Sequence, residues 1–210
     1  ADVQFGLQDI GFEYCTPIQQ QALPILLTGK DLAGKAQTGT GKTAAFLLTA
    51  FTHILNHPKT DRAPGSCRVL VLAPTRELAI QIHKDAEEIG KFTGLYNVVV
   101  FGGMDHEKQR EELDRPVDIL IGTPGRIIDY SRSRHLDLSA DEILVIDEAD
   151  RMLDMGFIPD VRRIVAQLPK REERQTMLFS ATLDESILKL AASFQNNPEM
   201  VESEIGRAHV

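Results

Sequence analysis

Cysteine is nearly missing from this chain: its 210 residues contain two, Cys15 and Cys67. They form neither a metal-binding spacing nor a disulfide framework, and they point to a reducing, cytoplasmic compartment. Positive charge is also in deficit, with 23 Lys and Arg against 31 Asp and Glu and a net charge of −8. That excludes a broad basic surface for nucleic acid, because phosphate contacts dominate such affinity. Any nucleic-acid site has to be local, built from a few aimed Arg side chains and backbone groups. Long apolar runs are lacking too: Ile143 to Ile146 stops at Asp147, far short of a membrane span. No membrane partner is therefore expected, nor a secretory signal. There are no internal repeats and no low-complexity tracts. What remains, 42% apolar and 26% charged residues, is the composition of a soluble globular domain with a full core, with or without a tail.

The most informative stretch is Ala36-Gln37-Thr38-Gly39-Thr40-Gly41-Lys42-Thr43. It follows a short strand-like run, Asp31 to Gly34, and opens a helical run from Ala44 to Leu48, the setting of a phosphate-binding loop. Two glycines let successive N–H groups turn inward on an anion, and the helix adds the positive end of its dipole. Lys42 would reach the β- and γ-phosphates and the Thr43 hydroxyl would hold Mg²⁺. The strict pattern begins with Gly where this chain has Ala36. An ordinary Gly/Thr-rich turn accounts for the glycines, but not for the strand before and the helix after.

Elsewhere the chain alternates strands and helices. Helical patterns cover residues 2–10, 42–56, 105–114 and 184–195, one that opens at Pro17 buries Ile18, Ala22, Ile25 and Leu26, and others follow Arg76, Gly125 and Gly156. Apolar runs at 68–73, 97–101, 118–122, 143–146 and 176–179 read as buried strands. The fold class is therefore α/β, a mostly parallel sheet with helices on both faces and right-handed crossovers. Thr16, Pro17 and Gln19 form a capping box, Thr-x-x-Gln. The Gln19 amide also matches the donor and acceptor of adenine N6 and N7; spacing alone favours the cap. Thr182-x-x-Glu185 reads as a second capping box, and Thr123-Pro124 as an N-cap followed by Pro. His53 and His57 stand four apart and could share a metal, but no third ligand has matching spacing, and solvent exposure is the simpler reading.

Every unusual polar cluster follows a strand and precedes a helix: residues 36–43, 74–76, 102–103, 123–126, 147–150 and 180–182. In a parallel sheet these junctions share one edge, where open α/β sheets bind ligands. Asp147-Glu148 ends a buried apolar run, which is unfavourable unless something cationic faces the pair. Asp147 would hold Mg²⁺, directly or through water, and Glu148 would activate the water that attacks the γ-phosphate. Arg76 and Arg126 stand at helix starts beside Thr75 and Thr123. Helix N-termini, hydroxyls, Gly backbones and Arg together make a phosphodiester-contacting set.

These motifs resemble those of the DEAD-box RNA helicases. Phe12 to Gln19 is similar to their Q motif, Ala36 to Thr43 to motif I, Pro74 to Ala79 to motif Ia and Gly102-Gly103 to the GG motif. Thr123 to Arg126 is similar to motif Ib, Asp147-Glu148-Ala149-Asp150 to the DEAD sequence and Ser180-Ala181-Thr182 to motif III. Seven motifs stand in family order over about residues 5 to 200, and the wording of 37–47, 118–130 and 147–157 most resembles the bacterial RhlB-type members. The resemblance implies a RecA-like P-loop NTPase domain that binds ATP or ADP with Mg²⁺. It implies a nucleotide site of Phe12, Thr16, Gln19, Thr38, Gly39, Thr40, Gly41, Lys42 and Thr43, in which Gln19 reads adenine, a role compatible with the cap. Lys42, Asp147, Glu148, Ser180 and Thr182 would be the catalytic set, with Ser180 and Thr182 bonding the DEAD loop and coupling hydrolysis to RNA. Thr75, Arg76, Gly102, Gly103, Thr123, Gly125 and Arg126 would hold the RNA backbone without regard to sequence.

The chain departs from the family pattern in places. Phe5 is too close to Gly11 to be the aromatic that packs on adenine upstream of the Q motif, so that residue is expected before Ala1. Cys15 stands where Pro is common. The second RecA-like domain, with its arginine-rich motifs, is expected beyond residues 1–203, and 204–210 reads as tail or linker; Ile205-Gly206-Arg207 is not assigned. The expectation is a monomeric, cytoplasmic ATP-binding domain, weakly active alone, that unwinds RNA only when its C-terminal partner domain closes on it. A nucleotide-gated RNA-binding module without catalysis, or a DNA-acting relative in the same superfamily, is the alternative.

Overall fold

The computed structural model describes residues 2–11, 14–37 and 39–202. Phe12, Thr38 and the tail 204–210 lie outside the described residues. In chain order the elements are α1 (Asp2–Asp9), α2 (Pro17–Leu26), β1 (Leu32–Lys35), α3 (Lys42–Asn56), β2 (Cys67–Leu72) and α4 (Arg76–Ile89). There follow β3 (Asn97–Val100), α5 (His106–Glu111), β4 (Val117–Gly122), α6 (Pro124–Arg132), β5 (Ile143–Ile146) and α7 (Ala149–Asp154). α8 (Ile158–Val165), β6 (Gln175–Ser180), α9 (Glu185–Phe194) and β7 (Glu199–Glu202) complete the described chain.

The seven described strands form one sheet in the order β3-β4-β2-β5-β6-β1-β7. Every neighbouring pair is parallel. The strands read as continuous apolar runs because both faces are covered. Val69, Val71, Ile143, Val145, Met177 and Phe179 pack under α1 to α4. The alternating residues Leu70, Leu72, Leu144, Ile146 and Leu178 pack under α6 to α9 on the other face. Parallel direction sends every strand's carboxyl end to one edge, so the six polar junctions do share one side of the molecule.

Local structure departs from the sequence patterns in four places. β7 was not anticipated: it is an edge strand in which Val201 alone is buried, too little apolar signal for a strand. α7 runs where the DEAD stretch read as loop. α5 stops at Glu111 rather than 114, because Glu112, Leu113 and Asp114 donate to Gln109, Arg110 and Glu111 in tighter three-residue turns. The last helix is capped by Asp184, whose carboxylate accepts from Ile187 N at 3.1 Å, so Thr182-x-x-Glu185 is not the capping box.

Candidate functional site

The glycine-rich loop leaves β1 and enters α3 through two left-handed glycines, Gly39 (φ 83°) and Gly41 (φ 85°). Gly41 is fixed twice over: a Cβ there would also lie 2.6 Å from Gln19 Nε2 and 2.7 Å from Thr16 Oγ1. The capping box is present. Thr16 N donates to Gln19 Oε1 at 3.0 Å and Gln19 N donates to Thr16 Oγ1 at 3.4 Å. The Gln19 amide goes further and donates from Nε2 to the Gly41 carbonyl at 3.1 Å. The residues of the Thr16–Gln19 turn and of the loop are therefore one unit, far apart in sequence and in direct contact.

Lys42, the first residue of α3, points back across the loop to the end of β5. Its Nζ lies 2.8 Å from Asp147 Oδ1, and the two side chains are 6% and 0% exposed. The acid that ends a buried strand thus has the cationic partner its position demands. Asp147 Oδ1 also accepts from Glu148 N at 3.0 Å. Asp147 Oδ2 is buried with no hydrogen-bond partner among the described residues. An orphaned carboxylate oxygen beside a phosphate-binding loop fits a hard divalent cation. Thr43, one residue past Lys42 and half-buried, lines the groove beside the same loop.

Glu148 holds a left-handed backbone, φ 50° and ψ 53°, which costs a non-glycine residue about 1–2 kcal/mol. Its carboxylate is half-buried, with Arg151 Nη1 3.9 Å from Oε2. It lines a cleft of about 400 Å³ together with Ala36, Gln37, Lys42, Asp150, Arg151 and Ala181. It also lines a groove of about 360 Å³ that runs from Gly39, Gly41 and Thr43 along α4. Ser180 is buried at the end of β6, and its Oγ accepts from Thr182 N at 3.4 Å. Thr182 Oγ1 is 3.5 Å from Asp184 Oδ2. In this conformation both hydroxyls are engaged within their own loop.

The remaining junctions form the neighbouring stretch of the same edge. Thr75 caps α4, accepting from Leu78 N at 3.2 Å. Arg76 is exposed, with its guanidinium 5.1 Å from the centroid of the Phe101 ring. A Cβ on Gly103 would come within 3.4 Å of Arg76 Nη1, so the Gly102-Gly103 turn and Arg76 are adjacent. Thr123 occupies the N-cap of α6 without a side-chain capping bond. Gly125 is exposed, and Arg126 lies over Tyr130, 5.7 Å from the ring centroid. His53 and His57 are not both free side chains: their rings stack 4.6 Å apart and His53 Nε2 lies 2.9 Å from Glu142 Oε1. Among the described residues no group of three or more His, Cys, Asp or Glu is placed to hold a metal ion.

Sequence patterns missed Phe101, Gln109 and Tyr130, which carry or brace the arginines. The Arg126–Tyr130 spacing of four on a helix was a usable signal. The Gln109 contacts are tertiary and left no local mark.

Comparison with known proteins gives the family. The DEAD/DEAH box helicase family model matches residues 16–190. The chain belongs to the DEAD/DEAH box helicase family. Curated relatives of this DEAD/DEAH box domain include the ATP-dependent RNA helicase RhlB of Shewanella piezotolerans, 53% identical over 202 residues, which cover 96% of this chain and 46% of that protein. The ATP-dependent RNA helicase RhlB of Xanthomonas oryzae pv. oryzae is 54% identical over 203 residues, 95% of this chain and 35% of that protein. Among solved structures, a DEAD box protein from Methanococcus jannaschii matches with a TM-score of 0.87 and 31% identity over 97% of this chain and 54% of its own. A hypothetical ATP-dependent RNA helicase from Sulfolobus tokodaii matches with a TM-score of 0.85 and 35% identity over 96% and 56%. The fold is thus the RecA-like helicase domain. The DEAD/DEAH box chain spans about half or less of the length of these relatives. Among its described helices none is long and apolar enough to cross a membrane.

Proposed function

We propose that this chain is the ATP-binding half of an ATP-dependent RNA helicase, that it holds ATP or ADP with Mg²⁺, and that it grips the RNA backbone on the adjoining loops. The observation that carries the reading is the Lys42–Asp147 pair with its unpartnered Oδ2, set between a phosphate-binding loop and Glu148. Loop N–H groups at the start of α3 would take the β- and γ-phosphates, and Lys42 would exchange part of its contact with Asp147 for the γ-phosphate. A divalent cation held by Asp147 and Thr43 would supply neutralisation of the charge that develops on the phosphate oxygens. Glu148, fixed at the mouth of the cleft by its strained backbone, would orient a water and accept its proton. The Gln19 amide has used one acceptor site and one donor hydrogen; one of each remains, enough to read adenine while still capping. Phe12 and Thr38 belong to the same proposed nucleotide site.

Thr75, Arg76, Gly102, Gly103, Thr123, Gly125 and Arg126 are the proposed RNA contacts, with Ser180 and Thr182 linking that surface to the nucleotide. A second RecA-like domain outside residues 1–203 would complete both sites, and the protein would work in the cytoplasm. Glu148→Gln in the full-length protein tests the catalytic assignment. RNA-stimulated ATP turnover should fall at least about 100-fold while nucleotide affinity stays within a few-fold. Undiminished turnover would remove Glu148 from the mechanism.

A further inference from the structure

Tyr130 is fully buried on α6, and packing alone would be met by Phe. Its hydroxyl has two partners: it accepts from Arg126 Nη1 at 3.4 Å and donates to the His106 carbonyl at 2.7 Å. The ring adds contacts to both, with the Arg126 guanidinium 5.7 Å from its centroid and the His106 ring 4.6 Å away. His106 is the first residue of α5 and stands three residues after Gly103. The same short segment is pinned at its other end by Gln109, itself buried, whose Oε1 accepts from Phe101 N and whose Nε2 donates to Phe101 O, both at 3.1 Å. Phe101 in turn carries Arg76 on its ring. Three loops remote in sequence, 74–76, 101–106 and 123–126, are thus joined through side chains that never reach the surface themselves.

We infer that Tyr130 is a positioning residue for the RNA-contacting edge, holding Arg126 and the Gly102-Gly103 segment in the arrangement that meets a phosphodiester backbone. This rests on the reading that the edge binds RNA. The physical reason is pre-organisation. A free Arg loses rotamer entropy when it closes on a phosphate, whereas one already laid on a ring and hydrogen-bonded to it has less to lose. The 3.4 Å contact to Arg126 is long, so the effect belongs to the several-fold class rather than the hundred-fold class.

The test uses the full-length protein carrying Tyr130→Phe, Arg126→Ala or both, with RNA-stimulated ATP turnover measured against RNA concentration and nucleotide affinity measured separately. Tyr130→Phe should raise the KM for RNA about 3- to 10-fold with kcat at saturating RNA retained. In the Arg126→Ala background that rise should shrink to about twofold or less, because the two residues act as a unit. If Arg126→Ala raises the KM and Tyr130→Phe does not, the positioning role is overturned while the RNA-binding edge stands. A fall in kcat and nucleotide affinity together with the rise in KM would make Tyr130 merely structural and would also overturn it. If Arg126→Ala leaves the KM unchanged, the RNA-binding reading fails and this inference fails with it.

Discussion

Asp141 and Glu142 are neighbours whose carboxyls are pushed in opposite directions. Burial raises Asp141 well above the usual carboxylate range, since the Cys67 thiol, 3.7 Å from Oδ1, gives back little and Oδ2 has no partner among the described residues. Burial pushes Glu142 up as well, but hydrogen bonds from His53 and Arg68 and the charges of Arg68 and Lys59 outweigh it and hold the group well below its ordinary value. A raised carboxyl favours the protonated folded state, so the stability due to Asp141 is present below its unfolded pKa of about 3.9 and is lost as pH rises toward the folded value. A depressed one does the reverse: the Glu142 contribution is present above about pH 4.3 and is lost as pH falls toward the folded value. Asp141→Asn should therefore gain on the parent in denaturant midpoint between pH 4 and pH 8, and a constant difference across that range would refute the buried-acid account. Glu142→Gln should lose about 1–3 kcal/mol at pH 7, the worth of charged hydrogen bonds in a half-buried cluster. That deficit should start to shrink below about pH 4.3 and go on shrinking as pH falls toward the depressed folded value, as chemical denaturation at pH 7, 4 and 3 would show.

The contact between the Thr16–Gln19 turn and the phosphate-binding loop makes the two loop glycines unequal. Gly39 needs only a left-handed backbone, with nothing within 4 Å of where a Cβ would stand. Gly41 needs the same backbone and the space now filled by Gln19 and Thr16. Gly39→Ala should carry the strain alone, about 1–2 kcal/mol. Gly41→Ala should carry it and also displace the capping box, lowering nucleotide affinity about tenfold further. Titration with a fluorescent ADP analogue ranks the two, and equal losses would mean that the loop does not lean on Gln19. This difference also shows what the sequence could reveal of its elements. The loop between β1 and α3 and the capping box were legible because their patterns are local: capping needs residues three apart, and the loop is a strand, glycines and a helix in succession. The buried parallel strands were legible as apolar runs. β7 was not, since an edge strand with one buried residue carries too little apolar pattern, and neither was the choice of Asp184 over Thr182, two oxygen-bearing side chains two residues apart. The Gln19–Gly41, Gln109–Phe101 and Tyr130–His106 bonds join segments that only the folded sheet brings together, so no window of sequence contains them.

At the scale of the whole molecule the acidic balance and the proposed RNA grip have to coexist. The net charge of −8 repels a polyanion at long range, but salt at physiological strength screens that field within about 8 Å. What remains is the proposed contact edge, where Arg76 is exposed and Arg126 half-buried, each backed by an aromatic ring. The other groups proposed to meet RNA on this edge are helix N-termini, the Thr123 hydroxyl, which makes no capping bond, and glycine backbones. These bind phosphate without carrying a full charge and release few counterions. For single strands each neutralised phosphate contributes about −0.7 to the slope of log K against log salt, so two arginines give roughly −1.4. Binding of this 210-residue chain to a fluorescently labelled single-stranded RNA, measured by anisotropy from 50 to 300 mM KCl, should be weak with a slope near that value. Arg76→Ala and Arg126→Ala should each flatten it by about 0.7. A slope of about −4 or steeper would require an extended basic surface that the charge distribution does not provide, and would move the RNA site away from this edge.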